Sequence, residues 1–412
     1  MLRSLGLLLT CAIAAVLALG TALGTATQAE GASGVKVCGS GYGHGVGLSQ
    51  YGAKGRAEAG QGHAQIIKAY YSGVAIREQS SAPVRVLLAE SASNGSHEIT
   101  VRQGRSATMR NLASGGTLDL GPGRYRITHL PDRGLYRLTN VSEGEQVGVY
   151  SGPLNFNSTG GGPLGVGASD YRSTLQVRNA NSKLLLINRL GMEAYLRGVV
   201  PQEMPFSWEA AALESQAIAA RSYAEATRRS GAFDFYDDVR DQVYGGASSE
   251  TAATNRAVLA TAGKAAVYGG EPITAFFHSS SGGHTESSAN VFGGAKPYLK
   301  AVRDVDRAGR AYEGRAYANS PWMSWRGEIA PNGSPQFGVG SIRQIEVLDR
   351  SPSGRVTKIR VKGTEGAKTV SGQQEIRFGL KSTGISRADG STRPGGALPS
   401  ARVSFGSGCN QG

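Results

Sequence analysis

KLLLINRLGMEAYLRGVVPQEMPFSWEAAALESQAIAARSYAEATRR, residues 183–229, carries three patterns in succession. Lys183 to Asn188 is a short apolar run that predicts a strand, and Met192 to Val199 predicts a short helix. After Pro205, Ser207 suits an N-cap and Glu209 suits the positive first turn of a longer helix. Leu213, Ala217, Ala220 and Ala224 recur at helical spacing, so this helix presents a narrow, small-residue face and packs closely. Arg228-Arg229 followed by Gly231 is a C-terminal signal. A strand feeding helices, within a chain otherwise rich in strands, decides for an α+β fold.

Upstream, VRVLLAE, HEITVR, RYRITHL, LYRLTN and LQVRN alternate apolar and polar residues between NG, GG and PDRG turn signals, so residues 83–187 read as strands. Ser151 to Asp170 reads as a Gly/Pro-rich connection. Gly62 to Ile76 predicts a short helix with Ile66, Ile67, Tyr70 and Tyr71 on its apolar face and Gly73 as its stop. Downstream, Ser248 to Ala262 predicts a second helix ahead of strands AAVYGG and PITAFFHSS. IRQIEVLDR, VTKIRVKG and RVSFGSG then return to β. The expected architecture is antiparallel β-rich units around a central helical region. Its segments are 1–29, 30–78, 79–182, 183–310 and 311–412.

The 412 residues suffice for two or three compact units with real cores. The first 29 residues read as a secretion signal cut after Ala29; the alternative is an uncleaved anchor formed by Leu5 to Leu23. Beyond that stretch two cysteines remain, Cys38 and Cys409. In an oxidising compartment an even pair suggests a disulfide, which requires both ends of the mature chain to lie side by side. The net charge of +13 is scattered as Arg, which fits an anionic partner such as cell-wall polymer. The interleaved aromatic-basic motifs of nucleic-acid binders do not occur. The expected location is outside the cell, at the wall, with membrane contact only through an uncleaved signal.

Chemistry concentrates in VVPQEMPFSWE, Val199 to Glu209. An apolar setting would raise the Glu203 carboxyl and suit it to general-acid work; the alternative is an ordinary loop glutamate capping a helix. Glu193 and Asp241 are the nearest candidates for a second carboxylate. Glu193 reads equally as a surface charge. FHSSSGGHTE sets His278 and His284 six apart around Ser280, Ser281, Gly282 and Gly283. This is none of the usual zinc spacings, so the loop reads as a rigid lining whose backbone amides approach a ligand, with zinc on the two histidines as the alternative.

AYLRGVVPQEMPFSWEAAALESQAIAARSYA strongly resembles the SpoIID/LytB family of bacterial cell-wall proteins. The likeness continues through DQVYGGASSETAATNRAVLATAGKAAVYGG and the Ser/Gly loop to about Asp304, with Phe292 where many relatives carry Trp. Members of the SpoIID type are lytic transglycosylases acting on peptidoglycan glycan strands, and others are described as modifiers of an amidase. The resemblance implies that Glu203 protonates the oxygen between N-acetylmuramic acid and N-acetylglucosamine. As carboxylate it then takes the proton of the sugar's own C6 hydroxyl, closing an anhydro ring without a second carboxylate or a cofactor. Arg221 matches a family arginine that pairs with Glu203, holds a sugar carboxylate, or forms a structural ion pair. Asp241, Gln242 and Tyr244 suit sugar hydroxyls and stacking, or else serve as turn residues.

GYGHGVGLSQYGA, Gly41 to Ala53, also resembles these proteins, but there it comes last. It follows a segment like VSGQQEIRFGLKSTGIS, here Val370 to Ser386. The chain therefore resembles a circular permutation cut near a repeated GSG, with Cys38–Cys409 as a staple worth ~4–5 kcal/mol in the chain-entropy model. The block is expected to pack on the C-terminal strand near Glu203. His44 either reaches the groove or hydrogen-bonds within a glycine-held turn. The competing functions are a wall-binding enhancer of an N-acetylmuramoyl-L-alanine amidase, and a metal-dependent wall hydrolase using the histidines.

Overall fold

Strand alternation in the first half of the chain builds two facing sheets. The computed structural model describes residues 34–409, so the expected signal segment and its Ala29 site lie outside the described residues. The larger sheet is ordered Phe235–Tyr236, Val84–Ala92, Lys183–Leu190, Thr174–Ala180, Leu154–Thr159, Ser106–Asn111 and Thr117–Leu120. The other is ordered Glu145–Tyr150, Leu135–Asn140, Gly123–Leu130, Ser96–Val101, Leu164–Val166 and Ser169–Tyr171. Pairing is antiparallel apart from Phe235–Tyr236 on Val84–Ala92. Ile99, Ile127 and Leu138 of one sheet share a core with Val86, Met109, Phe156 and Leu186 of the other. Period-two strands that face another sheet bury every second residue in this way.

The stretch Ser151 to Asp170 is not a mere connection, because it contributes the strands Leu154–Thr159 and Leu164–Val166. Leu154 and Phe156 are buried inward-facing residues, and their burial outweighs the turn-rich composition around them.

Five helices matter for the site: α1 (Gln50–Glu58), α2 (His63–Tyr70), α3 (Met192–Glu203), α4 (Ala210–Thr227) and α5 (Ala252–Ala260). α3 runs past its expected end, through Pro201 to Glu203. Proline removes one backbone donor, and here the loss falls in the last turn, just after fully buried Val199 and Val200. α4 starts later than Ser207 predicts, with Glu209 at the N-cap position and no side-chain cap bond. Ser207 lies instead in a turn closed by the Trp208 N–H on the Pro205 carbonyl at 3.1 Å. α5 is shorter than expected and begins at Thr251, whose hydroxyl accepts the Thr254 N–H at 3.2 Å.

α4 is buried on two sides. Ala217, Ala220 and Ala224 face the two-sheet core, while Leu213, Ile218 and Ala219 face a cluster with Ile66, Ile67, Tyr70 and Tyr71 from α2 and its end. A helix clasped in this way needs small residues all round, so the single narrow face expected for Leu213 through Ala224 is in fact two faces.

PITAFFHSS does not form one continuous strand. Its strand segments are Glu271–Pro272 and Phe277–His278, the latter paired in parallel with Leu48–Ser49 of the glycine-rich block, and Ser280 adds a lone bridge to Tyr42. The remaining chain forms a five-stranded sheet ordered Thr392–Ala397, Lys381–Arg387, Trp325–Ile329, Val35–Gly39 and Val403–Phe405. A three-stranded sheet, Ile342–Arg350, Val356–Gly363 and Gly366–Ser371, adjoins it, with short helices α6 (Ser288–Phe292) and α7 (Gln373–Gly379). Val37, Trp325, Ile359, Ile376, Ile385 and Val403 share their core. Cys38 and Cys409 are joined by a disulfide with Cα atoms 5.5 Å apart. The fold is α+β with mostly antiparallel sheets.

Candidate active site

Glu203 is the last residue of α3, where the helix releases the chain toward Met204 and Pro205. Its carboxyl is partly buried, and Oε1 accepts the Val243 N–H at 3.3 Å. The Gln50 side chain approaches the carboxyl and favours its anion. Burial pushes the Glu203 pKa from 4.5 up to about 7, against the pull of the Val243 N–H and Gln50. Phe206, three residues beyond Glu203, is 59% exposed. The Trp208 ring packs instead on Tyr51 at 4.9 Å between centroids.

Gln50 and Tyr51 belong to the glycine-rich block, and the architecture explains how they arrive beside Glu203. The Ser40 N–H meets the Arg402 carbonyl at 3.0 Å, and the Gly43 N–H meets the Pro399 carbonyl at 2.9 Å. Tyr42 and Ser280 exchange backbone hydrogen bonds at 2.8 and 3.0 Å. The Leu48 N–H then reaches the Phe276 carbonyl at 3.1 Å, which requires Gly47 at φ +73; a Cβ there would fall onto that carbonyl. Ser49 caps α1 by accepting the Gly52 N–H at 3.3 Å, and Gln50 opens the helix toward Glu203. The block thus packs on the chain's final strands and beside Glu203.

A buried carboxylate that sequence reading missed organises the neighbouring loop. Glu313 is fully buried and accepts the Ser281 N–H at 2.6 Å, the Gly282 N–H at 3.0 Å, the Ser280 hydroxyl at 2.5 Å and the Ser49 hydroxyl. The backbone amides of Ser281 and Gly282 are therefore occupied from inside the protein, and the Gly283 N–H is taken by the Ser281 hydroxyl at 3.0 Å. The expectation that this loop offers its amides to a ligand is corrected: Glu313 holds them. Asp304 plays a similar part at α1 and α2, accepting Arg56 Nε at 3.0 Å and the Tyr70 hydroxyl at 2.7 Å. Glu313 and Asp304 stand among unremarkable neighbours, and only their lack of exposure identifies them.

Several expected site residues face inward. Arg221 is fully buried, and its guanidinium grips Glu193 through Nε at 3.0 Å and Nη2 at 2.5 Å, not Glu203. Glu193 is thereby a structural partner, and it also accepts the Gly263 N–H at 3.1 Å. Asp241 accepts Arg229 at 2.5 Å and the Tyr236 N–H at 2.8 Å. Gln242 donates to the Ala220 carbonyl at 3.3 Å, and Tyr244 donates to Asn188 at 2.7 Å with its ring against Tyr171 and Tyr195. All three side chains are buried and hold partners within the protein, though Gln242 Oε1 has none, so the structure gives them a structural role in place of the expected sugar contact. What the DQVYGG segment does lend Glu203 is the Val243 backbone N–H.

His44 and His278 come together, with ring centroids 5.5 Å apart. His44 Nδ1 accepts the Val46 N–H at 3.0 Å, and burial with the charge of Arg377 pushes its pKa down to about 4. Burial also holds His278 well below the ordinary histidine value, with Nδ1 3.2 Å from the Val46 carbonyl. His284 turns Nδ1 to the Thr285 carbonyl at 2.8 Å. Among the described residues, no group of three or more His, Cys, Asp or Glu is arranged to hold a metal ion. Nor does any helix among them have the length and apolarity to cross a membrane.

Comparison with known proteins shows what this region is similar to. Residues 180–268, which include α3, Glu203, α4 and Val243, match the SpoIID family model, Stage II sporulation protein. Stage II sporulation protein D of Bacillus subtilis is 34% identical over 148 residues, covering 31% of this chain and 41% of that protein. The Amidase enhancer of the same organism is 44% identical over 110 residues, 27% of this chain and 15% of the enhancer. An uncharacterized protein of Brachyspira hyodysenteriae is 37% identical over 161 residues, 38% of this chain and 43% of that protein. The chain spans less than half the length of each of these relatives. Through residues 180–268 the chain is similar to the SpoIID family.

Proposed function

We propose that this protein is an exported, wall-associated lytic transglycosylase that cuts between N-acetylmuramic acid and N-acetylglucosamine, with Glu203 as its one acid and base. The observation that carries this reading is the Glu203 environment. A carboxyl raised to about 7 is substantially protonated at neutral pH and can give its proton to a glycosidic oxygen. Once the proton has left, the Val243 N–H and the Gln50 side chain stabilise the anion, which can then remove the C6 hydroxyl proton. The new bond runs from C6 oxygen to C1, the leaving sugar takes the proton, and the carboxyl is regenerated. In this reading the helices around Glu203 form the catalytic centre. The glycine-rich block, displaced in sequence by a circular permutation, completes it through Gln50.

A second reading is that the protein enhances a separate cell-wall amidase without cutting glycan itself. It is favoured by the identity to a relative named Amidase enhancer, 44% over 110 residues. Purified glycan strands incubated with wild type and with Glu203→Gln separate the two. Anhydro-ended products that disappear in the variant support the first reading. Stimulation of an amidase that survives Glu203→Gln supports the second.

A further inference from the structure

Two arginines far from Glu203 in sequence are held side by side by one turn. The turn that follows Ile342–Arg350 is closed by the Gly354 N–H on the Ser351 carbonyl at 2.8 Å. Its consecutive carbonyls accept from two guanidiniums: Ser353 from Arg402 Nη1 at 2.5 Å, and Gly354 from Arg350 Nη1 at 2.9 Å. Arg350 Nη2 also reaches the Ser404 hydroxyl at 3.4 Å. Burial lowers both guanidiniums from their ordinary pKa. The charge of Arg350 adds to the effect on Arg402, against the pull of Glu313. Two like charges brought together and partly desolvated favour an anion between them.

The pair opens onto the outer face of the sheet that holds both ends of the described chain. Val37, Trp325, Ile385 and Val403 turn into the core, so their neighbours in sequence turn outward. Register sets Ser386, Arg326, Cys38 and Ser404 in one row across four strands. Ser324, Trp325, Arg326 and Ser386 line both this cleft and an adjoining one, which adds Arg315 and Arg387. Arg387 Nε is buried and has no hydrogen-bond partner among the described residues. The joined clefts therefore carry Lys36, Arg315, Arg326, Arg350, Arg387 and Arg402 against the carboxylates of Glu328 and Asp389. Lys36 lies opposite Glu328 in register, and Asp389 accepts the Ser391 N–H at 2.9 Å. Among the described residues, none of the six cations has a carboxylate oxygen within 4.0 Å.

We propose that the joined clefts bind a linear polymer of phosphate diesters, the chemistry of the polyol-phosphate chains of a cell wall, with one phosphate seated between Arg350 and Arg402. The site is separate from Glu203 and requires only that the protein reach the wall. Guanidinium forks suit the free oxygens of a diester. A chain fits better than a single small anion, because the cations continue from one cleft into the next through Arg326. Between its charges such a chain carries hydroxyl-bearing linkers. Ser324, Ser386 and Ser404 stand among the cations to meet them.

The test measures retention of the full mature chain on immobilised polyglycerol phosphate. Wild type should be retained and then released by salt, because binding displaces counterions from the polymer. Arg350→Gln/Arg402→Gln should weaken retention about tenfold. Arg402 is partly buried, so Arg315→Gln/Arg326→Gln, at two exposed positions, provides a second variant, which should weaken retention about threefold. Thermal melting identifies which variants are folded. Unchanged retention in any folded variant overturns the proposal. Equal or tighter retention on polyglutamate of the same charge density overturns it too, by making the clefts a general polyanion or carboxylate site. Tighter binding to phosphatidylglycerol vesicles than to the polymer would make them a membrane surface and overturns it as well. Cleavage of glycan strands by the same proteins is read separately, so failure of the Glu203 chemistry is distinguishable from failure of polymer binding.

Discussion

At the scale of the residue, Glu203 shows what burial does to a carboxyl that no cation neutralises at close range. Its pKa in the folded protein, about 7, lies above the 4.5 of an exposed glutamate. The stability linked to this group is therefore fully present below about pH 4.5 and is lost as pH rises through about 7. Glu203→Gln should melt higher than wild type at pH 8, by roughly 1–3 kcal/mol, with the difference gone at pH 4. Equal melting at both pH values would show that the carboxyl is not perturbed. Gln50 acts on the same group from the other end of the chain. Because its side chain lowers the Glu203 pKa, Gln50→Ala should move the alkaline limb of the pH–rate profile to higher pH. A lowered rate with an unmoved limb would assign Gln50 a packing role only. Sequence reading singled out Glu203 because its motif is distinctive. It left Arg221, Asp241, Gln242 and Tyr244 open between ligand and structural roles, since a polar side chain in a motif reads the same whether it faces a ligand or a buried partner. Their partners, Glu193, Arg229, the Ala220 carbonyl and Asn188, are distant enough in sequence to be invisible there.

At the scale of the element, legibility followed periodicity. Leu135–Asn140 alternates cleanly in burial, and Ile342–Arg350 forms its predicted strand with register shifts against Val356–Gly363. Ser151 to Asp170 hid two strands behind its glycines, and α4 hid a second buried face behind alanines that fit either side. The glycine-rich block is an element of another kind, whose path is set by close approach. Gly47→Ala places a Cβ against the Phe276 carbonyl at a left-handed φ of +73 and should destabilise by at least about 1–3 kcal/mol. Gly60→Ala has a similar φ of +81 but nothing within 4 Å, so it should cost about 1 kcal/mol. Denaturant melts of the two variants check the contrast. Equal losses would mean that the path of the block, and with it the delivery of Gln50, depends on backbone strain alone.

At the scale of the whole molecule, the segments nearest the two ends of the described chain are stitched into one sheet. Val35–Gly39 lies between Trp325–Ile329 and Val403–Phe405, with the Cys38–Cys409 disulfide across its edge. The cysteine count made that bond an expectation, and the likeness of GYGHGVGLSQYGA to a C-terminal motif gave it a reason. Neither could reveal that Glu313 would bind Ser49 to Ser280–Gly282. Because the disulfide closes a separation of 371 residues, its reduction should destabilise the fold by about 6 kcal/mol in the chain-entropy model. Thermal melting with and without reductant measures this, and an unchanged melting temperature would show that the strand pairing suffices alone. The molecule's central claim is that Glu203 turns a sugar's own hydroxyl into the nucleophile. Digestion of glycan strands in heavy-oxygen water tests it most directly. New N-acetylmuramic acid ends that are anhydro and free of label would bear the account out; hydrated ends carrying the heavy isotope, or no new ends at all, would contradict it.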